Sequence, residues 1–147
     1  MGRVEEINIG PPKQLPAPVQ SAEAHAGKGL VGNRYYFEEG AEPGRALTLI
    51  AAEAIEAMAA DHGIEITAAE SRRNVLTRGI DLNALVGKRF RVGGVECEGV
   101  ELCHPCKDLE RMTKPGVIKG LLNRGGLNAD ILSDGEIAVG DEVVAHD

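Results

Sequence analysis

Apolar residues come in short runs along this chain, and glycine or proline ends most of them. That punctuation favours strands and tight corners over long helices. RVEEINIG, from Arg3, alternates loosely and predicts a strand. PPKQLPAP follows, and proline lacks the N–H that a central strand donates, so this stretch predicts a stiff connection. VQSAEAHA predicts a second strand, GKGLVGNRYY a glycine-rich loop and RALTLIAA a buried strand. The period then changes. In AAEAIEAMAADHG, Ala51, Ile55, Met58 and Ala59 share one helical face, and Gly63 is a stop signal. His62 sits where a cation meets the helix C-terminal dipole. His62 and Met58 therefore read as structural residues.

RRNVLTRGI and KRFRVGG predict strands around the short turn or helix DLNALVG. VECEGVELC alternates at Val95, Cys97 and Gly99, then at Val100 and Leu102; the slip at Gly99 predicts a bulge. KDLERMT and GVIKGLLN are short helical candidates. LNADILSDG and EIAVGDEVVAHD predict strands joined as a hairpin at Ser133-Asp134-Gly135. No repeat, low-complexity tract or long linker divides the chain, so residues 1–147 predict one domain. Many strands with glycine-rich corners predict a mainly β fold, a closed or nearly closed barrel with a few short helices. The strands are too short and irregular for a doubly wound parallel sheet.

Composition narrows the function. Charged residues make up 27% of the chain, which suits a globular protein rather than a disordered one. Aromatics are only 3% with no tryptophan, which removes the stacking platforms of a single-strand nucleic-acid binder. Sixteen basic against 23 acidic residues give a net charge of -7, which opposes nonspecific phosphate-backbone binding. Neither nucleic acid nor membrane is an expected partner. The first residues lack the apolar core of a signal peptide, and no apolar stretch is long enough to cross a bilayer as a helix. With three cysteines, an odd number, this predicts free thiols in a reducing, cytoplasmic setting.

The chemistry concentrates in VELCHPCKDLERMT, where Cys103 and Cys106 bracket a His-Pro pair. A zinc site normally shows two separated ligand pairs, and only one C-x-x-C is present, with Cys97 on a strand as the remaining thiol. A thioredoxin-like dithiol works at the start of a long helix after a parallel strand, and Thr113-Lys114-Pro115-Gly116 ends this helix early. A Cys103–Cys106 disulfide is a related option. The third reading is a single working thiol. Cys106 follows Pro105 at a helix start, where unpaired N–H groups and Lys107 favour a thiolate that attacks sulfane sulfur or ligates a soft metal. Cys103 and His104 are its candidate assistants, and Cys97 reads as a buried, inert thiol.

The order of these pieces resembles the MOSC domain, the module at the C-terminus of molybdenum cofactor sulfurases. The likeness runs from about residue 24 to 144: GLVGNRYY, then RALTLIAAEAIEAM, then SRRNVLTRGIDLNALVGKRFRVGGVECEGV, HPCKDLE with the family's cysteine at Cys106, and NRGGLNADILSDGEIAVGDEV. One departure stands out. Many relatives carry Gly-Asp-Arg-His in the first loop, and here it reads Gly32-Asn33-Arg34-Tyr35, which leaves Arg34 as the charged candidate. The resemblance implies a barrel of the MOSC, pyruvate-kinase-barrel-like type and a link to molybdenum cofactor or sulfur transfer. That cofactor is a pterin dithiolene with a terminal phosphate, so its site needs a soft thiolate and anion-binding donors. Arg72, Arg73 and Asn74 form a compact polar cluster for it, with Arg34 and Arg124 as further candidates.

Two functions follow from the resemblance. In the first, Cys106 carries sulfur as a persulfide from a separate cysteine desulfurase to a metal–sulfur or molybdenum cofactor acceptor. The chain itself is too short to hold the pyridoxal phosphate domain of a sulfurase. In the second, Cys106 is a molybdenum ligand in a small reductase of N-hydroxylated compounds that relies on a redox partner. A non-catalytic thiol-bearing binding module is a third. The first two expect Cys106 to be accessible in a cleft that also receives Arg72 or Arg73.

Overall fold

The computed structural model describes residues 2–146. Its strands are β1 (Gly2–Ile9), β2 (Ala17–Val19), β3 (Ser21–His25), β4 (Gly29–Leu30), β5 (Leu47–Ala51), β6 (Val75–Arg78), β7 (Arg89–Val92), β8 (Val95–Leu102), β9 (Leu127–Ile131), β10 (Gly135–Ala138) and β11 (Glu142–Ala145). Three helices join them: α1 (Ala52–His62), α2 (Lys107–Met112) and α3 (Val117–Gly120). Leu82–Leu85 forms a 3-10 turn capped by Asp81, whose carboxylate accepts from the Asn83 N–H. Among the described residues no helix is long and apolar enough to cross a membrane.

Seven strands close on themselves in the order β1-β6-β5-β9-β8-β7-β11, with β11 pairing back to β1. The fold is thus the expected barrel. All its pairs are antiparallel except β5–β6. Parallel neighbours cannot be joined by a hairpin, and α1 with the following turns makes that crossover. A second sheet, β10-β3-β4, packs at one side. The barrel interior is filled by Val4, Ile7, Leu30, Leu49, Phe90, Val92, Cys97, Leu127 and their neighbours. A smaller cluster of Ile50, Met58, Ile66, Leu109, Val117 and Leu121 lies among the three helices. Each helix is too short to be stable alone, and this shared apolar contact holds them together.

The structure refines several sequence expectations. α1 ends on Gly63 at φ 68, the left-handed cap expected there. Its buried residues are Ala52, Ala54 and Met58; the expected face is displaced because Ala51 still belongs to β5, leaving Ile55 and Ala59 only half-buried. VQSAEAHA divides at Gln20, so that β2 pairs with β1 and β3 enters the second sheet. The bulge near Gly99 is present as a register shift between Gly99 and Glu101 against β9. The hairpin at Ser133-Asp134-Gly135 is not. β9 pairs with β5 and β8, whereas β10 pairs with β3. The turn is a corner between sheets instead: Ser133 Oγ accepts from Glu96 N at 2.9 Å and Asp134 accepts from Ala26 N at 2.7 Å. Those side-chain bonds redirect the chain before a two-strand ribbon can form.

Candidate functional site

Past the bulge, β8 ends at Leu102 beside a cleft, and Cys103, His104 and Cys106 line it. Cys103 N–H donates to Gly126 O at 2.7 Å, and Arg73 donates from Nη2 to Cys103 O at 3.4 Å. Gly125 lies against the same segment, and a Cβ there would run into Cys103 O and come within 2.9 Å of Pro105 Cδ. The glycines of NRGG therefore allow a close backbone approach that positions both thiols. Cys106 follows as the residue before α2, with extended backbone (φ -120, ψ 171) and no capping bond from its side chain. Its thiol is exposed.

The cleft has a volume of about 430 Å³. Cys103, His104 and Cys106 line it together with Arg34, Arg45, Arg72 and Arg73. Among the described residues none of these four arginines takes part in an ion pair. Glu101 and Asp108 are the carboxylates on the wall; both are exposed, and Asp108 is already paired with Arg111. The result is a concentration of uncompensated positive charge in a protein of net charge -7.

Each arginine is held differently. Arg73 is buried and donates to three carbonyl oxygens, Gly125 at 2.9 Å, Ser71 at 3.1 Å and Cys103 at 3.4 Å. Arg72 sits in the left-handed backbone region at φ 63, which L-residues other than Asn and Asp adopt at a penalty. Its buried Nε has no hydrogen-bond partner among the described residues. Burial and, next, repulsion from Arg34 lower the Arg72 pKa from its ordinary value. The guanidinium carbons of Arg34 and Arg45 lie 4.7 and 5.3 Å from the centroid of the Tyr35 ring, a cation–π arrangement that holds both at the rim.

The thiols divide by environment. Burial pushes the Cys97 thiol up to about 12, so it stays protonated inside the barrel. Cys103 is half-buried; burial raises its pKa as well, while Arg73 and Arg45 pull it back. No group of three or more His, Cys, Asp or Glu among the described residues is arranged to hold a metal ion. A metal here would depend on a cofactor's own ligands.

The cleft thus gathers Cys106, Cys103, His104, Arg34, Arg72 and Arg73 from the residues singled out in sequence. It does not gather Asn74 or Arg124. Asn74 is buried in the barrel wall, where its Oδ1 accepts from Thr48 N and Oγ1, each at 3.1 Å, and its Nδ2 donates to Asn8 O at 3.1 Å. It ties β5 and the start of β6 to β1. Arg124 faces a different depression, donates to Gly120 O at 2.8 Å and pairs with Asp61 at 3.3 Å. Sequence reading missed Arg45 and Tyr35. Arg45 lies two residues before the buried β5, as Arg73 lies two before β6, and that repeated position was the available signal. Tyr35 organises two cations. Asn33 accepts a bond from Gly10 N at 3.3 Å through its side-chain carbonyl.

The molecule is a closed barrel with a cleft lined by thiols and arginines. The chain belongs to the MOSC domain family, whose pattern matches residues 22–144. Solved structures share the fold. The YuaD protein of Bacillus subtilis superposes with a TM-score of 0.84 at 18% identity, covering 99% of this chain and 96% of that one. YiiM from Geobacillus stearothermophilus gives 0.77 at 17%, covering 100% and 76%, and YiiM from Escherichia coli gives 0.70 at 16%, covering 99% and 70%. None of the curated proteins matches this sequence significantly.

Proposed function

We propose that this chain is a sulfur carrier in which Cys106 holds sulfane sulfur as a persulfide and passes it to a molybdenum cofactor that enters the arginine cleft as acceptor. The observation that carries the reading is the exposed Cys106 thiol in a cleft whose four arginines have no carboxylate partner among the described residues. The residues present fit such an acceptor. A terminal phosphate matches the forked guanidinium donors, and the orphaned Nε of Arg72 is a donor still lacking an acceptor. A thiol is the soft group suited to the metal–sulfur end.

Loading is a thiolate attack. The Cys106 thiolate attacks the terminal sulfur of a persulfide on a separate, pyridoxal-phosphate-dependent cysteine desulfurase. A new S–S bond forms at Cys106, and the donor cysteine leaves as thiolate. Arg34, Arg45, Arg72 and Arg73 hold the acceptor's negative charge near the carrier, and Arg73 fixes the Cys103–Cys106 segment by its bond to Cys103 O. Cys103 and His104 assist beside the thiol.

A second reading has one observation in its favour. A cleft of about 430 Å³ with four cations is large enough to keep a phosphate-bearing cofactor resident. Cys106 would then ligate a molybdenum that supplies oxygen-atom chemistry to a reductase of N-hydroxylated compounds, served by a separate redox protein. The test is to analyse protein produced in cofactor-replete cells for molybdenum and pterin. Reduced protein is then treated with cysteine and a cysteine desulfurase under argon. The carrier reading expects one added sulfur per chain and substoichiometric molybdenum. Stoichiometric molybdenum with no added sulfur favours the reductase, and neither result leaves a binding module.

A further inference from the structure

We infer that the cleft also accepts a small oxyanion sulfur donor of the thiosulfate class, so that the chain is a thiosulfate-type sulfurtransferase as well as a protein-fed carrier. The inference rests on the carrier reading of Cys106 and adds the chemical class of a donor. A persulfide presented by another protein needs only an accessible thiol. It gains nothing from four guanidinium groups lining the cleft that holds that thiol. Thiosulfate gains from them. It is a dianion, and attack by a thiolate brings two like charges together unless cations surround the point of attack. Arg34, Arg45, Arg72 and Arg73 supply those cations in the cleft that Cys106 also lines. Arg72 is the most exacting of them. It is partly desolvated, repelled by Arg34 and strained at φ 63, and its buried Nε lacks an acceptor. A bound sulfonate group relieves the repulsion between Arg72 and Arg34 and brings the negative charge that the cleft arginines lack.

The step balances. The Cys106 thiolate attacks the outer, sulfane sulfur of thiosulfate. The bond from Cys106 Sγ to that sulfur forms while the bond between the two thiosulfate sulfurs breaks. The electron pair leaves with the sulfonate end as sulfite, and Cys106 is left as a persulfide. No external oxidant or reductant enters. Because donor and acceptor anions use one cleft, sulfite departs before the acceptor enters, and the kinetics are ping-pong.

The experiment mixes reduced protein with thiosulfate under argon and measures sulfite release and added sulfur on the intact chain. The expected result is one sulfite and one added sulfur per chain, the sulfur mapping to Cys106, with none in Cys106→Ser. Inorganic phosphate at constant ionic strength competes. In Arg72→Gln the ratio of thiosulfate loading to desulfurase loading falls roughly tenfold, because one charge-assisted contact to the oxyanion is lost. Three results overturn the inference. If thiosulfate releases no sulfite while a desulfurase with cysteine loads Cys106, the oxyanion donor is wrong and the carrier stands. If neither donor loads Cys106, both fail. An unchanged loading ratio in Arg72→Gln also overturns it, since the arginines would then play no part in donor choice.

Discussion

Arg78 and Arg72 lie six residues apart and are treated in opposite ways. Arg78, on β6, donates from Nε to Glu5 at 3.0 Å and from both terminal nitrogens to Glu56 at 3.1 and 2.6 Å. The arrangement joins β6, β1 and α1. It raises the Arg78 pKa and lowers those of Glu5 and Glu56, in each case chiefly through the hydrogen bonds between them. Arg72, just before β6, has no carboxylate partner and an unpartnered Nε among the described residues, and its pKa is lowered. Arg73 beside it is satisfied by carbonyls, which meet its donors without cancelling its charge. The fold neutralises an arginine used to join elements and leaves the cleft arginines charged. Uncompensated, desolvated charge is a stability penalty that a folded chain retains where a ligand of opposite sign is to bind.

The largest effect expected from breaking this contrast is at Arg73. Arg73→Ala leaves the carbonyls of Gly125, Ser71 and Cys103 without their donor and should destabilise by about 3 kcal/mol. Urea unfolding measures it. A loss below about 1 kcal/mol would mean that the three carbonyl bonds do not hold the Cys103 segment. Arg72→Gly should go the other way, stabilising by about 0.5–1 kcal/mol, because glycine adopts φ 63 without strain and the repulsion with Arg34 disappears. A destabilised Arg72→Gly protein would show that Arg72 serves the fold. The gain should come with a loss of anion response. Inorganic phosphate should raise the melting temperature of the wild type by mass action at constant ionic strength, and raise that of Arg72→Gly less.

The smallest effect belongs to the half-exposed pairs of Arg78, which solvent screens. Glu5 and Glu56 have lowered pKa values in the folded state, so they bind fewer protons folded than unfolded. Their contribution is complete above the ordinary carboxylate range and is lost as the pH falls through the lowered values. Arg78→Gln should flatten that acid-side slope and leave phosphate stabilisation unchanged. Thermal unfolding between neutral and acid pH checks both.

The barrel was legible in the sequence because its strands alternate and its corners are glycine-rich. The bulge at Gly99 and the cap at Gly63 were legible for the same reason: both are local. The turn at Ser133-Asp134-Gly135 was misleading, because its side chains bond to Glu96 and Ala26, residues far away in the chain. The site was half legible. Cys106 announced itself through Pro105 and a helix start, and Arg72 and Arg73 through their clustering. Asn74 belongs to the same cluster yet turns into the barrel wall, since the residue next to Arg73 sits where Thr48 and Asn8 offer it three bonds. Arg45 and Tyr35 reach the cleft only because the loop between β4 and β5 folds over it, a long-range packing outcome that no local pattern encodes.

The most direct test of the account is position-resolved sulfur loading. Wild type, Cys97→Ser, Cys103→Ser and Cys106→Ser are treated with cysteine and a cysteine desulfurase, and each thiol is mapped by mass spectrometry after alkylation. The account predicts added sulfur on Cys106 in the wild type and in Cys97→Ser, a partial defect in Cys103→Ser, and no loading in a folded Cys106→Ser protein. The Cys97 thiol, pushed up to about 12 by burial, should stay unalkylated until the chain unfolds. Normal loading of Cys106→Ser, or Cys97 as the fast-reacting thiol, would contradict the assignment of function to the arginine cleft.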